Sequence, residues 1–164
     1  AITGRGVDPK KLGFSARCDA QAREYHYHLC GDSTCPIFMK DFSWFVPGGL
    51  DITAMEAGAQ YLLGEHDFKS FCMAASAEGK PTHRNVREIS FHPETVMGEN
   101  LMSIKVVGNA FLHSMVRTIV GTLVMVGKGQ RDADWVGEVL EACDRRVAGE
   151  NAPAQGLVFW RVIY

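Results

Sequence analysis

The segment Arg23–Leu29 (REYHYHL) alternates residue by residue: Tyr25, Tyr27 and Leu29 point one way, Glu24, His26 and His28 the other. A period of two predicts a half-buried strand. Further on the period lengthens. Met55, Ala59, Leu62 and Leu63 recur at helical spacing, Asp51 or Thr53 can cap that helix, Thr53 and Glu56 have the capping-box spacing, and Gly64 ends it. Two more strands are predicted at about Val86–His92 and Leu101–Val107, joined as a hairpin through PETVMGEN. A helix from about Leu112 to Gly127 carries Val116, Ile119, Val120, Leu123 and Val124 at core spacing, with Arg117 near its first turn. A second helix, about Ala133–Val147, is capped by Asp132 or Asp134 and turns Trp135, Val139, Leu140 and Cys143 inward. The loop GENAPAQG then leads to a last strand, LVFWRVIY. Residues 1–12, 31–36 and 74–84 hold Gly, Pro and polar residues without periodicity and read as loops; Gly64–Phe68 reads as a helix-end turn whose Asp67 bonds local backbone.

This mixed order predicts an α+β fold, a largely antiparallel sheet with helices packed on one face. No repeat or internal linker divides the chain, so residues 1–164 read as a single domain.

Composition narrows the function classes. With 46% hydrophobic and 22% charged residues the chain is not of disordered type. A net charge of −2 excludes a uniformly basic nucleic-acid coat but not a local basic cleft. No apolar run reaches the ~18 residues that cross a bilayer; the most apolar stretch, Met115–Val126, is interrupted by Arg117, so no membrane role is expected. Arg5, Asp8, Lys10, Lys11 and Arg17 leave no apolar core for a signal peptide. Five cysteines without a CxxC pair suit reduced thiols and a cytoplasmic location.

Two constellations carry possible chemistry. Arg117 sits among Met115, Val116, Ile119 and Val120. An arginine on such an apolar turn either finds an anion or snorkels to the surface. His26, His28 and Cys30 alternate on one strand face and Cys35 follows a turn, which makes a zinc-stabilised structural domain conceivable. Side chains two apart on a strand lie roughly 6.5–7 Å apart, wide for one tetrahedral site, and no metal site is assigned.

Three segments together resemble the TruA-type tRNA pseudouridine synthases. They are Phe14-Ser-Ala-Arg17 followed by Arg23-Glu-Tyr25-His-Tyr27, the run Gly108-Asn-Ala-Phe111-Leu-His-Ser-Met115-Val-Arg117-Thr-Ile-Val-Gly121 continuing to Gly127, and Ala152-Pro-Ala-Gln-Gly156-Leu157 on to Tyr164. Leu62–Phe68 with Ser70-Phe71, and Lys80–Val86, add weaker support. The order and spacing fit over nearly the whole chain.

The resemblance implies an enzyme that isomerises uridine to pseudouridine in the tRNA anticodon stem-loop, with no cofactor and no metal, and a homodimer when intact. It implies that Tyr25 stacks on the flipped base and removes the C5 proton, that Arg117 pairs with a catalytic aspartate, and that Leu157 packs on the base opposite the tyrosine. From spacing alone Tyr25 is equally a core tyrosine, since Tyr27 shares its face, and Leu157 is the first core residue of its strand. Arg17, Arg84, Lys80 and His113 are substrate-binding candidates among a wider basic set that includes Arg23, Arg87 and Lys105; Lys80-Pro81-Thr82 departs from the usual polar run there.

In the family the nucleophile is an aspartate in a Gly-Arg-Thr-Asp segment upstream of Phe-x-Ala-Arg. Here the early Gly4-Arg5 runs on to Gly-Val-Asp8 and lies too close to Phe14. The chain therefore reads as a carboxyl-terminal half without the nucleophilic aspartate, expected to be inactive alone and to expose an apolar sheet edge or face. Asp67 is not given the nucleophile's role. A non-catalytic RNA-binding module is the alternative.

Overall fold

A computed structural model of the chain describes residues 9–73, 75 and 78–164. The loop expected over residues 1–8, and with it Gly4-Arg5 and Asp8, lies outside the described residues, as do 74, 76 and 77 of the expected loop at 74–84. The strands are β1 (Ala22–Cys30), β2 (Trp44–Phe45), β3 (Gly64–Asp67), β4 (His83–Val96), β5 (Glu99–Gly108) and β6 (Leu157–Ile163), and the helices are α1 (Ile52–Gln60), α2 (Met115–Gly127) and α3 (Asp134–Ala142). Among the described residues the strands form one six-stranded sheet in the order β2-β1-β5-β4-β3. β6 pairs antiparallel with β1 along the same edge as the short parallel β2. The expected class, α+β with a mainly antiparallel sheet, is the one observed.

The alternation read in β1 is what builds the core. Tyr27 and Leu29 join Ile104, Val106, Val86 and Ile89 beneath α1 and α2, where Met55, Ala59, Ile119, Val120 and Leu123 meet them. The opposite face carries Glu24, His26, Ser103 and Lys105. Glu24 is nearly inaccessible there; burial pushes its carboxyl up, but bonds from His26 and Arg161 outweigh that and hold it below the usual carboxylate range.

Several boundaries differ from the sequence reading. The helix expected from Leu112 begins at Met115, because Ser114 takes a left-handed conformation (φ 64°) that a helix cannot include. The helix expected to reach Val147 ends at Ala142, where Cys143 turns left-handed (φ 48°), and a 3₁₀ turn covers Arg145–Val147. In α3, Val136 takes the core position expected of Trp135, which is only partly buried; Val139 and Leu140 point in as expected. Gly64–Asp67 is a strand rather than a turn, since pairing with Asn85 and Val86 extends it, although Asp67 does accept the Lys69 amide at 3.0 Å. β2 has no counterpart in the sequence reading. The hairpin strands run longer than expected, to a two-residue Met97-Gly98 connection in which both φ angles are positive. Of the alternative caps, Asp51 accepts from the Ala54 amide (2.9 Å) and Asp132 from that of Trp135 (3.1 Å).

Tyr27 ties the sheet to the loop before β6: its buried hydroxyl donates to the Pro153 carbonyl at 2.6 Å. Burial pushes this phenol far above its ordinary value, against a downward pull from Arg117. A raised folded-state pKa means stabilisation that is complete below the unfolded value of about 10 and lost as pH rises above it. Tyr27→Phe is expected to lower stability by about 1–2 kcal/mol at about pH 8. Its deficit should shrink by about pH 11 in urea unfolding; a deficit equal at both pH values would refute the assignment.

Candidate active site

Tyr25, Phe111, His113, Arg117 and Leu157 line one open hollow of about 380 Å³ at the junction of β1, β6 and the approach to α2. Its size is within the roughly 300–1,000 Å³ of pockets that take small ligands. The β1–β6 register opposes Tyr25 with Phe159 and Tyr27 with Leu157, which places Tyr25 at the mouth and Tyr27 in the core. The two tyrosines differ in depth: Tyr27 is fully buried and hydrogen-bonded, Tyr25 is half-buried, packed against the core and open to the hollow.

Tyr25 is held by two aromatic neighbours. Phe111 meets it edge-on (centroids 5.2 Å apart, planes at 84°) and Phe159 lies at 5.0 Å and 39°. Such geometries fix ring orientation while leaving the remaining surface free to stack. Burial raises the Tyr25 phenol above its ordinary value, opposed by the Arg23 charge. The hydroxyl is therefore protonated at neutral pH.

Arg117 is anchored by its Nε, which donates to the Ala152 carbonyl at 2.6 Å, while the Ala152 amide donates back to the Arg117 carbonyl at 3.1 Å. Arg117 has no carboxylate partner among the described residues. It neither snorkels free nor pairs: the Nε bond sets the plane of the guanidinium and leaves the Nη groups for an anion.

Asn109 organises the approach to α2. Its side-chain oxygen accepts from the Asn85 and Ala110 amides (3.0 and 2.7 Å), its own amide donates to the Asn85 carbonyl (3.0 Å), and its carbonyl accepts from Arg23. This hub fixes the segment that presents Phe111 and His113.

The remaining candidates lie elsewhere. Arg17 is exposed, and its carbonyl accepts from Arg23 at 3.0 Å. Lys80 is exposed before β4. Arg84 is half-buried and donates to the carbonyls of Pro81 and His83 (3.0 and 2.6 Å), while its Nε is buried without a partner. None of these three lines the hollow. Phe111, Phe159 and Asn109 are the residues of the site that sequence reasoning assigned no role. All three fall inside quoted motifs, and that was the available signal.

The residues raised as a zinc set are engaged otherwise. His26 bonds Glu24 (2.8 Å) and stacks on Trp160 (4.5 Å, 9°), His28 faces Glu94 (3.8 Å), Cys30 is buried and Cys35 is exposed. No group of three or more potential ligands gathers among the described residues. No helix among them is long and apolar enough to cross a membrane.

Residues 59–164 match the tRNA pseudouridine synthase family, and the chain belongs to that family. It is 42% identical to tRNA pseudouridine synthase A of Brevibacillus brevis over 165 aligned positions, covering 100% of this chain and 65% of that protein. It is 41% identical to the protein of that name from Xanthomonas oryzae pv. oryzae, covering 100% and 62%, and 38% identical to that from Geobacillus sp., covering 99% and 64%. The chain spans a little under two thirds of the length of these curated relatives.

Proposed function

We propose that this chain forms the aromatic and cationic side of a tRNA pseudouridine synthase active site. Its substrate is a uridine of the tRNA anticodon stem-loop, and the nucleophilic aspartate comes from a part of the enzyme outside these 164 residues. The reading places the enzyme in the cytoplasm, as a homodimer when intact. The observation that carries it is the meeting of Tyr25, Arg117, Leu157 and His113, named from four separate positions in the sequence, around one hollow.

The reaction breaks the N1–C1′ bond, forms C5–C1′, releases the C5 proton and protonates N1. It is an isomerisation, so it calls for no redox partner. The flipped uracil stacks on Tyr25 and is covered by Leu157. Arg117, held through Ala152, offers its Nη groups to the incoming aspartate and keeps that carboxylate ionised and aimed. Once C5 is bonded to C1′, losing its proton restores ring conjugation, so a weak base suffices. Tyr25 Oη takes that proton while passing its own to solvent at the pocket mouth.

Tritium release from a tRNA transcript labelled at C5 of uridine tests the reading. The chain alone is expected to release none, and addition of the missing amino-terminal portion of a relative is expected to restore release. Release by the chain alone would place the nucleophile within it, with Asp67 and Asp19 the first to mutate. RNA binding without release under either condition would favour a non-catalytic RNA-binding module.

A further inference from the structure

Among the described residues, three of the lysines and arginines are paired with carboxylates. Lys105 pairs with Glu88 (2.9 Å) and Arg161 with Glu24 (2.7 Å) on the sheet face away from the helices, and Arg146 pairs with Asp144 (2.6 Å). Lys69 and Arg145, like Arg117, have no carboxylate partner among the described residues. Both line a second open hollow, of about 840 Å³, with Glu78, Cys143, Asp144 and Arg146.

The acids of this hollow do not neutralise it. Asp144 is committed to Arg146, whose Nε, Nη2 and backbone amide all donate to it; these bonds hold its carboxyl down at about 2. Glu78, the other acid among the described lining residues, is exposed. Arg145 is half-buried, and its one side-chain bond is a 3.5 Å contact to Asn151 Oδ1. A guanidinium partly removed from water with one long contact is under-compensated, and a tetrahedral dianion or phosphodiester matches its fork. Burial and the Asp67 carboxylate push the Cys72 thiol up, and Arg145, Arg84 and Lys69 each pull it back.

Hydrogen bonds link the elements that line this hollow to those that line the Tyr25 pocket. Asn151 Oδ1, the contact of Arg145, also accepts from Thr118 Oγ1 at 2.6 Å, one residue from Arg117. The Met73 amide donates to the His113 carbonyl at 3.2 Å, which joins the strip after Lys69 to the rim of the pocket.

We propose that Lys69 and Arg145 form a phosphate site for the RNA strand that delivers the uridine to the Tyr25–Arg117 pocket. The proposal rests on the synthase reading above.

The test is fluorescence anisotropy of a labelled RNA stem-loop with uridines in its loop, titrated with this chain across a salt series. Lys69→Gln/Arg145→Gln is expected to reduce the slope of log K against log salt by about 1.4–1.8, each single variant by about half that, with affinity weakened about tenfold at low salt. Arg145→Lys should keep the slope, and Arg131→Gln, whose side chain lies over the Trp135 ring, should match wild type. Thermal melting shows which variants are folded, and the singles remain readable if the double is not. Folded single variants with wild-type slope and affinity would overturn the proposal while leaving the synthase reading intact, provided Arg117→Gln weakens binding. A wild-type chain that does not bind the RNA would overturn both.

Discussion

Tyr25→Phe is expected to slow tritium release from C5 by about 10²–10⁴-fold in the reconstituted enzyme, the range for loss of a positioned proton-transfer group. RNA affinity should stay within about twofold, because stacking on the ring is retained. The separation follows from the geometry. The phenyl ring keeps its contacts with Phe111 and Phe159, so the base still finds its stacking surface. The Tyr25 hydroxyl has no hydrogen-bond partner among the described residues, so its removal leaves nothing unsatisfied and should change stability by less than about 0.5 kcal/mol. Tyr27→Phe makes the contrasting control, since it loses a bond to Pro153 but no group facing the hollow. Stability should fall and chemistry survive in Tyr27→Phe; the reverse should hold in Tyr25→Phe. If Tyr25→Phe kept more than a tenth of the wild-type rate, or Tyr27→Phe lost as much, the proton-transfer role would belong elsewhere.

What could be read from the chain and what could not follow from the range of the interactions involved. β1 and α2 were legible because their apolar periods, two and three to four, are local properties that burial on one face enforces. β2 and β3 were not: Trp44–Phe45 is too short to show a period, and Gly64–Asp67 is extended only because β4 pairs with it. The start of α2 was misplaced because Phe111–His113 is as apolar as a helical turn, while the Asn109 hub and the left-handed Ser114 that exclude it from the helix are tertiary features. At the site, the motifs carried Tyr25, Arg117, Leu157 and His113 to one place. The partner that aims Arg117 is a backbone carbonyl 35 residues away, and no residue type announces a carbonyl acceptor. Phe159 lies inside a quoted motif, but its place beside Tyr25 comes from the β1–β6 register, which the sequence pattern does not show.

That carbonyl belongs to a loop whose position depends on Gly121, and Gly121→Ala is expected to destabilise the protein by about 3–5 kcal/mol. A Cβ there would lie 1.8 Å from the Glu150 carbonyl oxygen, 2.9 Å from its carbon and 3.3 Å from the Ala152 amide nitrogen. These are backbone atoms, so no rotamer change relieves the overlap. The helix cannot retreat, because Val120, Ile119 and Leu123 are fully buried on its other sides. The loop must move instead, and it is fastened at four points. Gly149 N–H donates to Thr122 Oγ1 (3.1 Å), Thr118 Oγ1 to Asn151 (2.6 Å), Ala152 N–H to Arg117 O (3.1 Å) and Tyr27 to Pro153 O (2.6 Å). At roughly 1 kcal/mol each, losing most of these far exceeds the ~1 kcal/mol that alanine gains over glycine in a helix. The melting temperature should fall by about 10 °C, at roughly 2–4 °C per kcal/mol for a domain of this size. Gly127→Ala is the control. Its Cβ would meet Met55 Sδ at 2.6 Å, Met55 Cγ at 2.8 Å and Leu50 Cδ2 at 3.2 Å, all side-chain rather than backbone atoms, so it should cost less than half as much. In Gly121→Ala the displaced loop also takes the Ala152 carbonyl from Arg117, so residual folded enzyme should release tritium more slowly than its folded fraction predicts. A Gly121→Ala protein as stable as Gly127→Ala would mean that the helix–loop contact neither holds the loop nor aims the arginine.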